Sequence, residues 1–202
     1  MKPFDKSSSI NENIEFLQAF LKNPMKVGAI TPSSPELAEE MLRDIKPSPD
    51  NIVLELGVGT GAITRHLRKI VPDERSYLGI ELDDELAEKL KDEMPEMNIV
   101  CGNALEMHDI HANSGLGKVG YIICCLPFVT IPNEINEKIL EEVDKFMNDG
   151  CLFRTFIYVH GYYMPSAIKI REFMRDRHGK SLRSKLVLKN VPPAYTLSWK
   201  AR

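Results

Sequence analysis

Short apolar runs alternating with polar stretches of helical period set the rhythm of this chain from residue 49 onward. Ile52–Leu56, Tyr77–Glu81, Asn98–Cys101, Tyr121–Cys125 and Cys151–Val159 have the length and apolar character of buried strands. Between them, Ala62–Val71, Asp84–Glu93, Asn133–Asn148 and Ser166–Arg177 repeat apolar residues at the spacing of an amphipathic helix. Such alternation predicts an α/β fold, a mostly parallel sheet covered on both faces. The end of the chain differs. Ser184–Asn190 and Ala194–Lys200 are two extended runs around Pro192-Pro193, as expected for an antiparallel final pair, which makes seven strands with an antiparallel last strand. Upstream, helical spacing appears at Ile10 to Lys22 and at Leu37 to Ile45, the latter with Ser33 or Ser34 as cap and Pro35 in its first turn. Residues 1–48 therefore read as an N-terminal helical extension and residues 49–202 as one domain, without repeats or low-complexity segments.

The first strand runs into Glu55-Leu56-Gly57-Val58-Gly59-Thr60-Gly61, a glycine turn with an acidic residue just before it. Alternating glycines keep side chains away from a bound molecule and permit the positive φ of a sharp strand-to-helix turn. Glu81 closes the next strand, at the separation where a carboxylate can accept from both hydroxyls of a ribose. A nucleotide-like cofactor follows. Gly57-x-Gly59-x-x-Ala62 also fits the dinucleotide fingerprint, but Glu55, the third glycine Gly61 and the late start of the first strand favour a different ligand. Ligands of open parallel sheets collect at the carboxyl ends of the strands. There Asn103 could meet an adenine edge or simply form a turn, and Cys125-Leu126-Pro127-Phe128 is a stiff turn whose ring is either a site residue or core.

Composition narrows the setting. With 202 residues, 43% hydrophobic, 27% charged and a net charge of −3, the chain is ordinary globular material and not a dedicated nucleic-acid binder. No apolar run is long enough to span a bilayer and no signal-peptide core is present, which predicts a cytoplasmic protein. Cys101, Cys124, Cys125 and Cys151 lack metal-ligand spacing and read as reduced core thiols. His108-x-x-His111 reads as a loop with two solvated imidazoles in preference to a metal site, so no metal is expected.

The glycine turn with its acidic residue resembles the first motif of the class I S-adenosylmethionine-dependent methyltransferases, whose Rossmann-like fold has seven strands ending in this way. A sharper resemblance lies upstream. Phe20-Leu21-Lys22-Asn23-Pro24, then Val27-Gly28-Ala29 and Pro32-Ser33-Ser34, are similar to the soluble bacterial phospholipid N-methyltransferases, as are Leu126-Pro127 and the late Val191-Pro192-Pro193-Ala194. These enzymes convert phosphatidylethanolamine stepwise toward phosphatidylcholine. The resemblance covers nearly the whole chain and implies S-adenosyl-L-methionine (SAM) as cofactor, bound by Thr31, Glu55, Gly57, Gly59, Gly61, Glu81, Leu82, Asn103 and Ala104. It places the acceptor amine at Leu126, Pro127 and Phe128, held by backbone carbonyls and an aromatic face. The related ribosomal-RNA adenine dimethyltransferases carry Asn where this chain has Cys125, a departure that removes a handle for a planar adenine amine.

Amine chemistry fits these residues. Tyr158 or His160, at the end of the fifth strand, could relay the departing proton or pack around a tight turn. A quaternary ammonium is best held by aromatic faces, for which Phe128, Tyr158, Tyr162 and Tyr163 are candidates. Ile10, Ile14, Leu17 and Leu21 form an apolar stripe flanked by Lys2, Lys6, Lys22 and Lys26, a pattern suited to an anionic membrane surface or to a lid over the cofactor. The expected activity is N-methylation of a membrane phospholipid by a peripherally associated enzyme. RNA adenine or small-molecule amine methylation, or a silent SAM-binding module, are the alternatives.

Overall fold

The computed structural model describes residues 32–200; the helical run at Ile10 to Lys22, the Phe20–Ala29 motifs and Thr31 lie outside them. The seven strands form one sheet, in order β3-β2-β1-β4-β5-β7-β6. They are β1 (Asn51–Leu56), β2 (Tyr77–Glu81), β3 (Ile99–Cys101), β4 (Lys118–Cys124), β5 (Leu152–Tyr158), β6 (Leu182–Arg183) and β7 (Ala194–Lys200). The pairs among β1 to β5 are parallel, and β7 runs antiparallel to both β5 and β6. The helices are α1 (Pro35–Met41), α2 (Thr64–Leu67), α3 (Asp84–Glu93), α4 (Met107–Ser114), α5 (Asn133–Asn148) and α6 (Pro165–His178).

Each central strand is buried on both faces, which explains its unbroken apolar run: β2 has no residue open to solvent and β1 only a half-buried first residue. Ser34 caps α1, its hydroxyl accepting from Leu37 N at 3.2 Å, and Pro35 occupies the first turn. The far end of α1 is closed by a strand residue. Arg154 on β5, 8% exposed, donates from one guanidinium nitrogen to the carbonyls of Met41 (2.9 Å) and Arg43 (2.8 Å), and from Nε to Ser198 Oγ (2.7 Å). A buried cation thus serves the carbonyls that the end of a helix leaves without donors. Leu37, Ala38 and Met41 meanwhile enter the main core beside Val53, Tyr77 and Ile123.

Four local expectations are corrected. The run Ser184–Asn190 is not a strand: β6 is confined to Leu182–Arg183, and the segment after it meets β7 through Ser184, which donates from N to Thr196 O and accepts at Oγ from Thr196 N, and an isolated bridge between Val187 and Ala194. The helix at Ala62–Val71 is regular only over Thr64–Leu67, because bonds reaching back three residues interrupt those reaching back four. His108 and His111 lie on α4, not in a loop. The His108 ring stacks on Phe146 with centroids 3.8 Å apart, and His111 Nε2 donates to the Gly117 carbonyl at 2.8 Å. Both imidazoles are structural, and among the described residues no cluster of three His, Cys, Asp or Glu could hold a metal ion. The four cysteines are free; Cys124 and Cys151 are buried, but Cys101, on the edge strand β3, is exposed and not a core thiol.

Candidate active site

Because β1 to β5 run parallel, their carboxyl ends bring the predicted residues to one edge of the sheet. The glycine turn leaves β1 there, with Gly57, Gly59 and Gly61 at φ of +75°, +58° and +77°, a region costly for residues that carry a Cβ. Gly57 N donates to Ile80 O at 2.9 Å, fastening the turn to β2. Two of the glycines are also crowded. A Cβ on Gly57 would lie 2.8 Å from Leu126 Cδ2, and one on Gly61 would lie 2.7 Å from Leu90 Cδ2. Gly59 differs: nothing lies within 4 Å of its Cβ position, so the open side of the turn is at its middle glycine.

Glu81 addresses that open side. It is 6% exposed; one carboxylate oxygen accepts from Gly59 N at 2.6 Å and the other from Asp83 N at 3.0 Å. Leu82 beside it is half-buried. Glu55, expected among the cofactor contacts, sits instead beneath the turn and is fully buried. Its Oε2 accepts from Tyr77 Oη at 2.6 Å and Thr64 Oγ1 at 2.9 Å, while Oε1 is buried without a partner. Burial lifts this carboxyl from 4.5 to about 7, against the two hydrogen bonds that lower it and with a small addition from Glu81. Tyr77 and Gly79 are functional neighbours that sequence reasoning missed. Gly79 pairs with Glu55 in register, and the Tyr77 phenol crosses the space where a Gly79 side chain would be. The signal was the i, i+2 spacing of Tyr77 and Gly79, which puts both on one face of β2.

After β3, Asn103 and Ala104 are 3% and 6% exposed. Asn103 Oδ1 accepts from Leu105 N at 2.9 Å, capping a single 3-10 turn, so the turn-forming role is realised. Its Nδ2 is buried with no partner, leaving one donor at the edge of the site.

The turn after β4 is braced against the glycine turn, since Cys125 N donates to Leu56 O at 2.8 Å. Leu126 and Phe128 are 8% and 3% exposed, and Pro127 is half-buried, so the Phe128 ring belongs to the interior, not to an open wall. The carbonyls of this turn are already used. Leu126 O accepts from Phe128 N, Pro127 O from Thr130 N and Oγ1, and Phe128 O from Asn136 Nδ2 at 2.7 Å. Leu126 O and Phe128 O each keep a second lone pair, whereas Pro127 O, which also accepts from Ile131 N at 3.2 Å, has none free. Asn136, 3% exposed on α5, also reaches Ile131 O and is the organiser of this turn that the sequence did not flag.

At the end of β5, Tyr158 and His160 are brought together, their rings parallel within 10° at 5.6 Å between centroids. Tyr158 is half-buried and His160 exposed. Burial, with the Cys125 thiol nearby, raises the Tyr158 phenol above its usual range and keeps it protonated. One face of Tyr162 is already engaged by a cation, the Arg171 guanidinium lying 4.1 Å from its ring centroid. Tyr163 is 79% exposed. A cavity of about 540 Å³ around Arg43, Arg154, Ser198 and Lys200 opens at the opposite end of β5 and takes no part in this site.

Comparison with known proteins accords with this geometry. The family described as "Methyltransferase domain" matches residues 53–150. The ornithine lipid N-methyltransferase of Singulisphaera acidiphila is 25% identical over 135 residues, 65% of this chain and 70% of that protein. The ribosomal RNA small subunit methyltransferase A of Chlorobium phaeobacteroides is 26% identical over 116 residues, 54% of this chain but only 42% of the relative. In fold, the SAM-bound magnesium protoporphyrin IX methyltransferase of Synechocystis aligns with a TM-score of 0.57 at 12% identity, over 82% of this chain and 76% of that one. The glycine turn lies inside the matched segment, and with the sheet order around it this supports a SAM-dependent methyltransferase domain whose cofactor is S-adenosyl-L-methionine.

Proposed function

We propose that this enzyme methylates the amine of a membrane phospholipid such as phosphatidylethanolamine, stepwise toward phosphatidylcholine. The carrying observation is the turn Cys125-Leu126-Pro127-Phe128, which presents a half-buried thiol and no amide side chain for a planar adenine edge. Burial pushes that thiol well above its ordinary range, so it stays neutral. The similarity to an ornithine lipid N-methyltransferase over 70% of that protein supports the same reading.

The residues present fit the cofactor. Gly59 leaves open space over the turn, Glu81 offers a carboxylate for ribose hydroxyls, and the unpartnered Asn103 Nδ2 offers a donor. Leu82 and Ala104 flank these groups, and Thr31 joins them in the proposal. When bound, SAM supplies an electrophilic methyl carbon, so the protein must chiefly deliver a neutral amine in line with it. The second lone pair of the Leu126 carbonyl orients the amine N–H, and the Tyr158–His160 pair takes the departing proton toward solvent. In residues 1–31 the apolar stripe and flanking lysines support, by their sequence pattern, a role as lid, as membrane contact or as both in turn. The rRNA relative favours a second reading, methylation of an RNA adenine.

Incubation with radiolabelled SAM and either dispersed phosphatidylethanolamine or ribosomal RNA separates the two. Mono-, di- and trimethylated lipid is the expected set of products, with Tyr158→Phe retaining SAM binding and losing turnover as the phenol relay is removed. Label confined to RNA, or absent from lipid, overturns the proposal.

A further inference from the structure

We infer that the rim formed by the end of β5, the start of α6 and the loop before β7 is a docking surface for an anionic lipid bilayer. Four large apolar side chains stand exposed where β5 hands over to α6: Val159 (39%), Tyr163 (79%), Met164 (42%) and Ile168 (36%). Two more, Leu188 (71%) and Val191 (67%), project from the loop that returns to β7. Backbone pairing joins the two groups, since Val159 N donates to Pro193 O at 2.9 Å and Val187 bridges Ala194, which itself pairs with Tyr158. The apolar rim therefore adjoins Tyr158 and His160. A headgroup entering from a membrane at this rim reaches the proposed acceptor site without its acyl chains crossing water.

Charge selects the partner. After Asp176 the chain holds seven Lys and Arg and no Asp or Glu, leaving 19 cations against all 29 acids in the preceding residues. Two of these late cations, Lys185 and Lys189, are exposed in the same loop as Leu188 and Val191, and Lys189 shares its charge with Glu36 at 3.0 Å. An RNA surface would pair such cations with aromatic rings on which bases stack, whereas five of the six exposed side chains here are aliphatic or thioether. Apolar side chains beside lysines are the pattern of insertion into an anionic interface. It differs from the stripe in residues 10–21 because it is built into the catalytic domain.

The inference rests on the phospholipid reading, and its test separates the two. Full-length protein is sedimented with vesicles of phosphatidylethanolamine and phosphatidylglycerol, and its activity is measured on the same vesicles and on a monomeric short-chain phosphatidylethanolamine. Leu188→Ser with Val191→Ser should weaken vesicle binding by at least roughly tenfold. Lys185→Gln with Lys189→Gln should weaken it about thirtyfold at low salt and little at high salt. Both double variants should lose activity on vesicles while keeping it on the monomeric lipid. Vesicle binding equal to that of the parent in both variants overturns the docking surface, as does a parent protein that binds RNA or self-associates through these residues and ignores vesicles. A parent protein that binds vesicles through this rim yet methylates neither lipid form overturns the phospholipid reading alone.

Discussion

Replacing Glu55 by Gln probes the buried acid beneath the glycine turn. The carboxyl titrates near 4.5 in an unfolded chain and at about 7 in the folded protein, chiefly because burial penalises its charge. Between those values the folded state holds a proton that the unfolded state has released, so stability must fall as pH rises through this window. The stabilisation is fully present below about pH 4.5 and is lost as pH climbs through about 7. At 1.36 kcal/mol per pKa unit, the gap from 4.5 to about 7 amounts to about 3 kcal/mol. Gln carries no titrating proton and keeps one oxygen for the Tyr77 and Thr64 hydroxyls. Urea unfolding from about pH 5 to about pH 8 should therefore show Glu55→Gln gaining on the parent by about 3 kcal/mol, or roughly 6–12 °C in Tm for a chain of this size. The variant starts from a deficit, because its amide places a buried donor where Oε1 has no partner, at a cost of about 1–3 kcal/mol at every pH. The change in the difference with pH, not its absolute value, is the readout. Parallel pH profiles for the two proteins would refute the argument.

Three further substitutions test the cofactor edge and the helix closure. Glu81→Ala should weaken SAM binding by about 1.5–3 kcal/mol in calorimetry through a lost charge-assisted pair, and Gly59→Ala should fill the open side of the turn; undiminished affinity in both would count against the assignment. Arg154→Met should cost about 3–5 kcal/mol in chemical denaturation, because the carbonyls of Met41 and Arg43 and the hydroxyl of Ser198 lose a buried cationic donor, and a loss under about 1 kcal/mol would show that water replaces it.

What the sequence determined by itself was whatever depends on a residue and its near neighbours. Apolar runs of strand length, helical periods between them and the Ser34-Pro35 cap are local, and each appears within a few residues of its expected place. The glycine turn was legible for the same reason, since positive φ at Gly57, Gly59 and Gly61 is a backbone property of those residues. Tertiary structure decided the rest. Glu55 and Glu81 are both acids in the last two positions of a strand run, yet one lies fully buried beneath the turn and the other faces its open side, because Tyr77 reaches Glu55 across Gly79 while Gly59 and Asp83 claim Glu81. Phe128 went inside because Asn136, eight residues away on α5, holds its carbonyl, and one face of Tyr162 was taken by Arg171. The Ser184–Asn190 run had strand character but found little backbone to pair with, so β6 stopped after two residues. These outcomes follow from partners brought together by the sheet order, a long-range property that neither the local period nor the composition of a segment carries.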